Sequence, residues 1–133
     1  MRSLIEFIDE ALKVGSKSKI GNHITVKEPT DTSYGVINYD DGNVAALWYS
    51  DEEDFYMIQH FVVKVSRRRE GIGTLLLRKL QDIAQDNKRD ILAVAMSNNK
   101  NLISDDEVIN FFKSCGFERA NTPNKWDLIW KCN

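Results

Sequence analysis

Residues 55–65, FYMIQHFVVKV, restrict the possible folds more than any other stretch of the chain. Apolar residues fall on both faces of an extended segment here, interrupted only around Gln59 and His60. Such a strand needs cover on both sides and belongs in the middle of a sheet. SRRREGIGTLLLRKL, residues 66–80, follows at once. In the leucine-rich run, Leu76, Leu80, Ile83 and Ala84 repeat at helical spacing, so a helix is predicted over 71–86. A buried strand, a basic turn with two glycines and an amphipathic helix therefore succeed one another.

The flanking sequence builds a mixed domain around that unit. Ser3 and Glu6 form a capping box for a first helix over 4–14, and SKSKIGN reads as a loop. HITVKE is a short strand stopped by Pro29. Two β-rich runs enclose Asp40-Asp41-Gly42-Asn43, a hairpin signal, and DEED at 51–54 is a charged turn. DILAVAM is a second buried strand. Ser104 and Glu107 open another capped helix that stops at Gly116, and the chain closes as a hairpin around NTPNK. The expected fold is α/β (α+β), one domain over residues 1–133. It has a mixed, mostly antiparallel sheet of about six to seven strands flanked by about three helices.

Composition narrows the partners. A net charge of -2 argues against general adhesion to nucleic acid or acidic membrane, so basic character must act locally. KVGSKSK with Lys27 is the one other basic stretch, read as a solvated loop. Two cysteines and two histidines without zinc spacing predict neither a disulfide framework nor a metal site. Acidic residues interrupt the apolar run at the start, unlike a secretory leader, and no segment is long and apolar enough to span a bilayer. A cytoplasmic protein is expected.

The arginines and glycines have a chemical reason to sit where they do. A helix start exposes unpaired N–H groups and partial positive charge, which attracts phosphate. Glycine lets a ligand approach the backbone. Arg67, Arg68 and Arg69 before Gly71-Ile72-Gly73 thus describe a pyrophosphate cradle. The alternative is a glycine-punctuated turn with solvated arginines. A P-loop is excluded because Thr74-Leu75 follows Gly73, and a dinucleotide fingerprint because Leu76 stands at its third glycine.

Arg68-Arg69-Glu70-Gly71-Ile72-Gly73 resembles the Arg/Gln-x-x-Gly-x-Gly/Ala motif of the GNAT N-acetyltransferase superfamily. FVV at 61–63 stands where that family's central strand precedes the loop, and VINFFKSCGF at 108–117 resembles its later helix end. The resemblance implies acetyl-CoA as co-substrate. Backbone from Arg69 through Glu70, Gly71, Ile72 and Gly73 to Thr74, with Arg68, would hold the pyrophosphate. The strand at Phe61, Val62, Val63 and Val65 would hold the pantetheine arm and polarise the thioester. The acceptor would be a primary amine of a small molecule or protein, attacking directly.

Three departures from the family pattern stand out. The usual glutamate base is Gln59 here, which cannot take a proton. His60 is adjacent, but alternation points it away from Gln59, Phe61 and Val63 unless a bulge re-aims it. Glu53, Asp54, or water held near Ser97 and Asn98 are further candidates. Phe112 replaces the tyrosine expected beside the sulfur, so a CoA thiolate must leave unassisted. Cys115 and Cys132 read as small hydrophobes. The region after the first helix is too short for a second, which would open the acceptor side. Tyr34, Tyr39, Trp48, Tyr49, Tyr56 and Trp126 supply packing, or one or two line an acceptor pocket. A catalytically impaired acyl-CoA-binding or interaction module is the alternative function. A nucleic-acid-directed enzyme ranks last, and a homodimer is a possible assembly.

Overall fold

The computed structural model describes residues 23–64, 67, 70–95 and 104–133. The expected first helix and the SKSKIGN loop lie outside them. Among the described residues the chain forms seven strands and two helices. The strands are β1 (Ile24–Lys27), β2 (Gly35–Tyr39), β3 (Ala45–Asp51), β4 (Phe55–Val63), β5 (Asp90–Val94), β6 (Glu118–Arg119) and β7 (Asp127–Trp130). The helices are α1 (Ile72–Asn87), after β4, and α2 (Asp105–Ser114), after β5. One mixed sheet runs β1-β2-β3-β4-β5-β7-β6, with the strand read as central in the fourth place. All neighbours are antiparallel except β4 and β5, which α1 connects as a parallel crossover.

Local chemistry explains the turns. Asp40, Asp41 and Gly42 all take positive φ between β2 and β3, a conformation that Asp tolerates and Gly favours. The DEED turn closes with the Glu52 N–H donating to Phe55 O at 2.9 Å and the Glu53 N–H donating to Asp51 Oδ1 at 2.9 Å. In the capping box of α2, Ser104 and Glu107 each receive the other's backbone N–H. Gly116, with φ 93°, follows the helix end. α1 ends at Lys88, also left-handed, and the Arg89 N–H returns to Ala84 O at 2.8 Å.

The core lies on one face of the sheet. Leu76, Leu77, Leu80 and Ala84 of α1 are fully buried with Ile37, Leu47, Tyr49 and Ile91. Burial of this kind is the main favourable term in folding. Gln81 is the one buried polar side chain of α1; its amide donates to Cys115 O at 2.7 Å and ties α1 to the end of α2. At the far end of β4, Asn87 donates to Tyr56 Oη at 2.8 Å, and Arg89 lies over the Tyr56 ring while pairing with Asp51. The opposite sheet face is less covered than the two-faced apolar pattern of 55–65 implies: Val62 is 38% exposed and Val94 43%. No helix among the described residues is long and apolar enough to cross a membrane.

Tyr49 is buried between Gly35 and Tyr56, and its hydroxyl has no hydrogen-bond partner among the described residues. A Cβ on Gly35 would come within 2.7 Å of the Tyr49 ring, which accounts for the glycine at that position. Burial, then the nearby Tyr56, Glu28 and Asp51, push the phenol up to about 12 from 10.0. Unfolding lets the phenol ionise at its ordinary pKa, so stability falls as pH rises from about 10 to about 12. Tyr49→Phe is expected to fold at least as stably as the wild type at pH 7, because an unpartnered hydroxyl is removed. It should also lose part of the alkaline decline in urea denaturation midpoints.

Candidate functional site

β4 divides its pairing unequally. It is laddered to β3 nearly end to end, from Tyr56↔Asp51 to Val63↔Ala45. Its ladder to β5 contains only Phe55↔Asp90, Tyr56↔Ile91 and Met57↔Leu92. On its other edge β5 is bonded to β7 all the way from Ile91 to Val94. Beyond Met57 the parallel strands therefore part, and a wedge opens between the second half of β4 and the end of β5.

The start of α1 follows this wedge in the chain. Gly71 has φ 82°, a left-handed conformation that glycine adopts most readily, and among the described residues beyond its chain neighbours no atom lies within 4 Å of where a Cβ would stand. The N-cap residue is Gly71 itself, and among the described residues no side chain caps the helix. The first helical bond runs from the Leu75 N–H to Gly71 O at 3.0 Å, so the preceding amides have no partner inside the helix. These donors, with the helix dipole behind them, suit an anion. Gly73 has another reason as well. A Cβ there would meet Val63 Cγ2 at 3.4 Å and the Phe111 ring at 3.5 Å, so glycine lets α1 begin tight against β4 and α2.

Of the basic residues, Arg67 is placed: its Nε donates to both Glu70 carboxylate oxygens, at 3.0 and 2.9 Å. The pair offsets an acidic charge directly beside the helix start. Val65, Arg68, Arg69, Ser97 and Asn98 lie outside the described residues. Ile72 is buried in the core, so it can contribute only its backbone, while Thr74 is half-buried.

Aromatic rings fill the helix side of the wedge. Phe61 meets Phe111 edge-on with centroids 5.8 Å apart and Phe112 at 6.2 Å. Phe112 continues to Phe117 at 5.1 Å and is only 5% exposed. The ring at the tyrosine position of the motif is thus part of the core. Phe111, which spacing did not single out, is the half-buried ring beside Gly73 and Val63. Its adjacency to Phe112 on a capped helix was the available signal.

A bulge changes the face of Gln59. Trp48 pairs with His60 and Tyr49 with Ile58, so Gln59 is the extra residue of β4. Simple alternation separates Gln59 from His60. With the bulge, the Gln59 amide donates to Ser50 Oγ at 2.9 Å, on the Trp48 and His60 side of the sheet. Ser50 Oγ in turn donates to Glu52 Oε2 at 2.6 Å. His60 is exposed and lies against Trp48, ring centroids 5.2 Å apart. Phe61 and Val63 remain on the helix side with Leu47 and Ala45. Of the acids read as candidate bases, Glu53 is held by its backbone to Asp51, and Asp54 is exposed.

Comparison with known proteins agrees with this architecture. The model of the acetyltransferase (GNAT) domain matches residues 30–119. The anti-CRISPR protein AcrVA5 is similar over 74% of this chain and 99% of its own, at 25% identity and a TM-score of 0.66. The PaiA N-acetyltransferase of Thermoplasma acidophilum, solved in complex with coenzyme A, is similar over 74% of this chain and 59% of its own, at 13% identity and a TM-score of 0.57. The ribosomal-protein-S18-alanine N-acetyltransferase of Escherichia coli is similar over 78% of this chain and 72% of its own, at 18% identity and a TM-score of 0.55. No curated protein matches the chain. The family model spans the hairpin, the wedge, α1 and α2, and on that match the chain belongs to the GNAT acetyltransferase domain family.

Proposed function

We propose that this protein is an N-acetyltransferase that moves the acetyl group of acetyl-CoA to a primary amine by direct attack. The observation that carries the reading is the wedge between β4 and β5, followed by an uncapped, glycine-led helix start. In this reading the amides from Glu70 to Thr74 hold the pyrophosphate, with Arg68 and Arg69 adding charge. The wedge side of β4 takes the pantetheine arm along Phe61, Val62, Val63 and Val65, and its N–H groups polarise the thioester carbonyl. Phe111 and Phe112 supply an apolar floor rather than a proton donor. Acetyl-CoA supplies the activated acyl group. The described site residues suit that ligand: among them nothing crowds Gly71 at the helix start, and the β4–β5 ladder ends where a narrow chain would enter. In this reading the protein acts in the cytoplasm.

A second reading keeps the binding and drops the chemistry, an acyl-CoA-binding or protein-interaction module. It is favoured by the Gln59 amide in the position of a base and by the buried Phe112 ring. A narrower version of the first comes from the likeness to AcrVA5, over nearly all of that chain. It gives the protein a role against a CRISPR system, with the acceptor amine on a component of that system.

Calorimetric titration of acetyl-CoA into the wild type is expected to show saturable binding, with a dissociation constant on the order of micromolar. Gly71→Asp should weaken it at least tenfold, since it puts a negative charge at the helix start where phosphate would bind. No binding to a folded wild type would sink both CoA readings. Thiol release with an amine panel then separates enzyme from binding module. The Arg67–Glu70 pair gives a further expectation. Arg67→Ala should weaken acetyl-CoA binding by exposing phosphate to the Glu70 charge, and Glu70→Gln should strengthen it. Both changes should shrink at high salt.

A further inference from the structure

We infer that Ser50 and Glu52 together take the proton from the acceptor amine, replacing the carboxylate that position 59 lacks. The inference rests on the acyl-transfer reading and adds a residue pair to it. The Ser50 hydroxyl gives its proton to Glu52 Oε2 at 2.6 Å, within the range of a charge-assisted bond. It accepts from the Gln59 amide at 2.9 Å. A hydroxyl oxygen has two lone pairs, so one remains for an incoming N–H. The bulge matters because it brings Gln59 to the Ser50 side of the sheet. Gln59 is two residues past the last β4–β5 pair, Met57↔Leu92, so the hydrogen-bonded chain begins where the wedge opens. Gln59 orients Ser50 and carries no proton itself.

The step balances as follows. One ammonium proton passes to Ser50 Oγ while the Ser50 proton passes to the Glu52 carboxylate, leaving a neutral amine and a protonated Glu52. The nitrogen lone pair forms the C–N bond to the acetyl carbon, and the C–S bond breaks with its electron pair on sulfur. The second proton shed by nitrogen goes to the CoA thiolate, and Glu52 releases its proton to solvent. The charged groups around the chain are Asp51, paired with Arg89; Glu53, whose N–H is held by Asp51; exposed Asp54; and His60 on β4, against Trp48. The Ser50 hydroxyl contacts Glu52 and Gln59.

The test measures kcat/KM against pH for the wild type, Glu52→Gln and Ser50→Ala, by thiol release from acetyl-CoA. The acceptors are spermidine, a lysine peptide with a blocked N-terminus, and hydroxylamine, which is already neutral at pH 7. Glu52→Gln should lower kcat/KM with the alkylamines roughly a hundredfold at pH 7. Its rate should then climb with pH, following ionisation of the amine. The loss with hydroxylamine should be much smaller, and acetyl-CoA binding should be unchanged. Gln59→Glu placed on Glu52→Gln should recover activity by restoring a carboxylate at the bulge. A Glu52→Gln rate within about twofold of wild type, with the same pH profile, overturns the inference and reduces the contact to one that shapes the turn. A wild type that binds no acetyl-CoA, or releases no thiol with any acceptor, overturns the acyl-transfer reading, and the inference falls with it.

Discussion

The structure depends on how β4 is held: nearly end to end by β3, and by β5 only at its first residues. Parallel strands normally stay laddered when a crossover helix packs on them, because unmade backbone hydrogen bonds are costly. Here the parting is supported on both sides. On its other edge β5 is anchored to β7 from Ile91 to Val94, and the Ala95 N–H extends that pairing to Trp126 O at 2.8 Å. The buried leucines of α1 hold the strands together on the helix face where the ladder does not. The wedge is thus a consequence of where the sheet's hydrogen bonds are placed, with the core intact beneath it.

Close packing at the wedge explains side chains that a ligand-only account would leave unexplained. Gly73 lets α1 start against Val63 and Phe111. Phe61, Phe111, Phe112 and Phe117 interlock edge to face, a geometry that aromatic quadrupoles favour. Replacing a tyrosine by Phe112 costs nothing structurally, because a buried ring needs no partner for a hydroxyl it lacks. Gly71 is different. Among the described residues nothing crowds it, and its left-handed φ alone favours glycine. Two glycines in one motif therefore answer to different constraints, one steric and one conformational.

The bulge at Gln59 has the largest effect on the chemistry available. One extra residue in β4 moves a polar side chain from the face alternation assigns it to the face that carries Trp48, Ser50 and His60. The chemistry of this face comes from β3 and the turn after it as much as from β4. A motif centred on 59 to 73 does not contain Ser50 or Glu52.

Much was legible in the chain itself, where local rules decide. The amphipathic run over 71–86, the capping box of Ser104 and Glu107, the left-handed Gly116 and the Asp-Asp-Gly turn each depend on neighbours within a few residues. The apolar strand at 55–65 declared its central place. The parting of β4 from β5, the bulge, the Arg67–Glu70 pairing at the helix start and the role of Phe111 were not legible. The first and fourth are set by partners tens of residues away and the second by the register of the neighbouring strand, through ladder pairing and packing. The ion pair is local, but three adjacent arginines leave its partner open until the turn is built. The sequence by itself determined the elements and the glycine-led start of α1, since propensity, capping and glycine freedom act locally. Only the tertiary structure decided which groups face the wedge, because register is a property of two strands together.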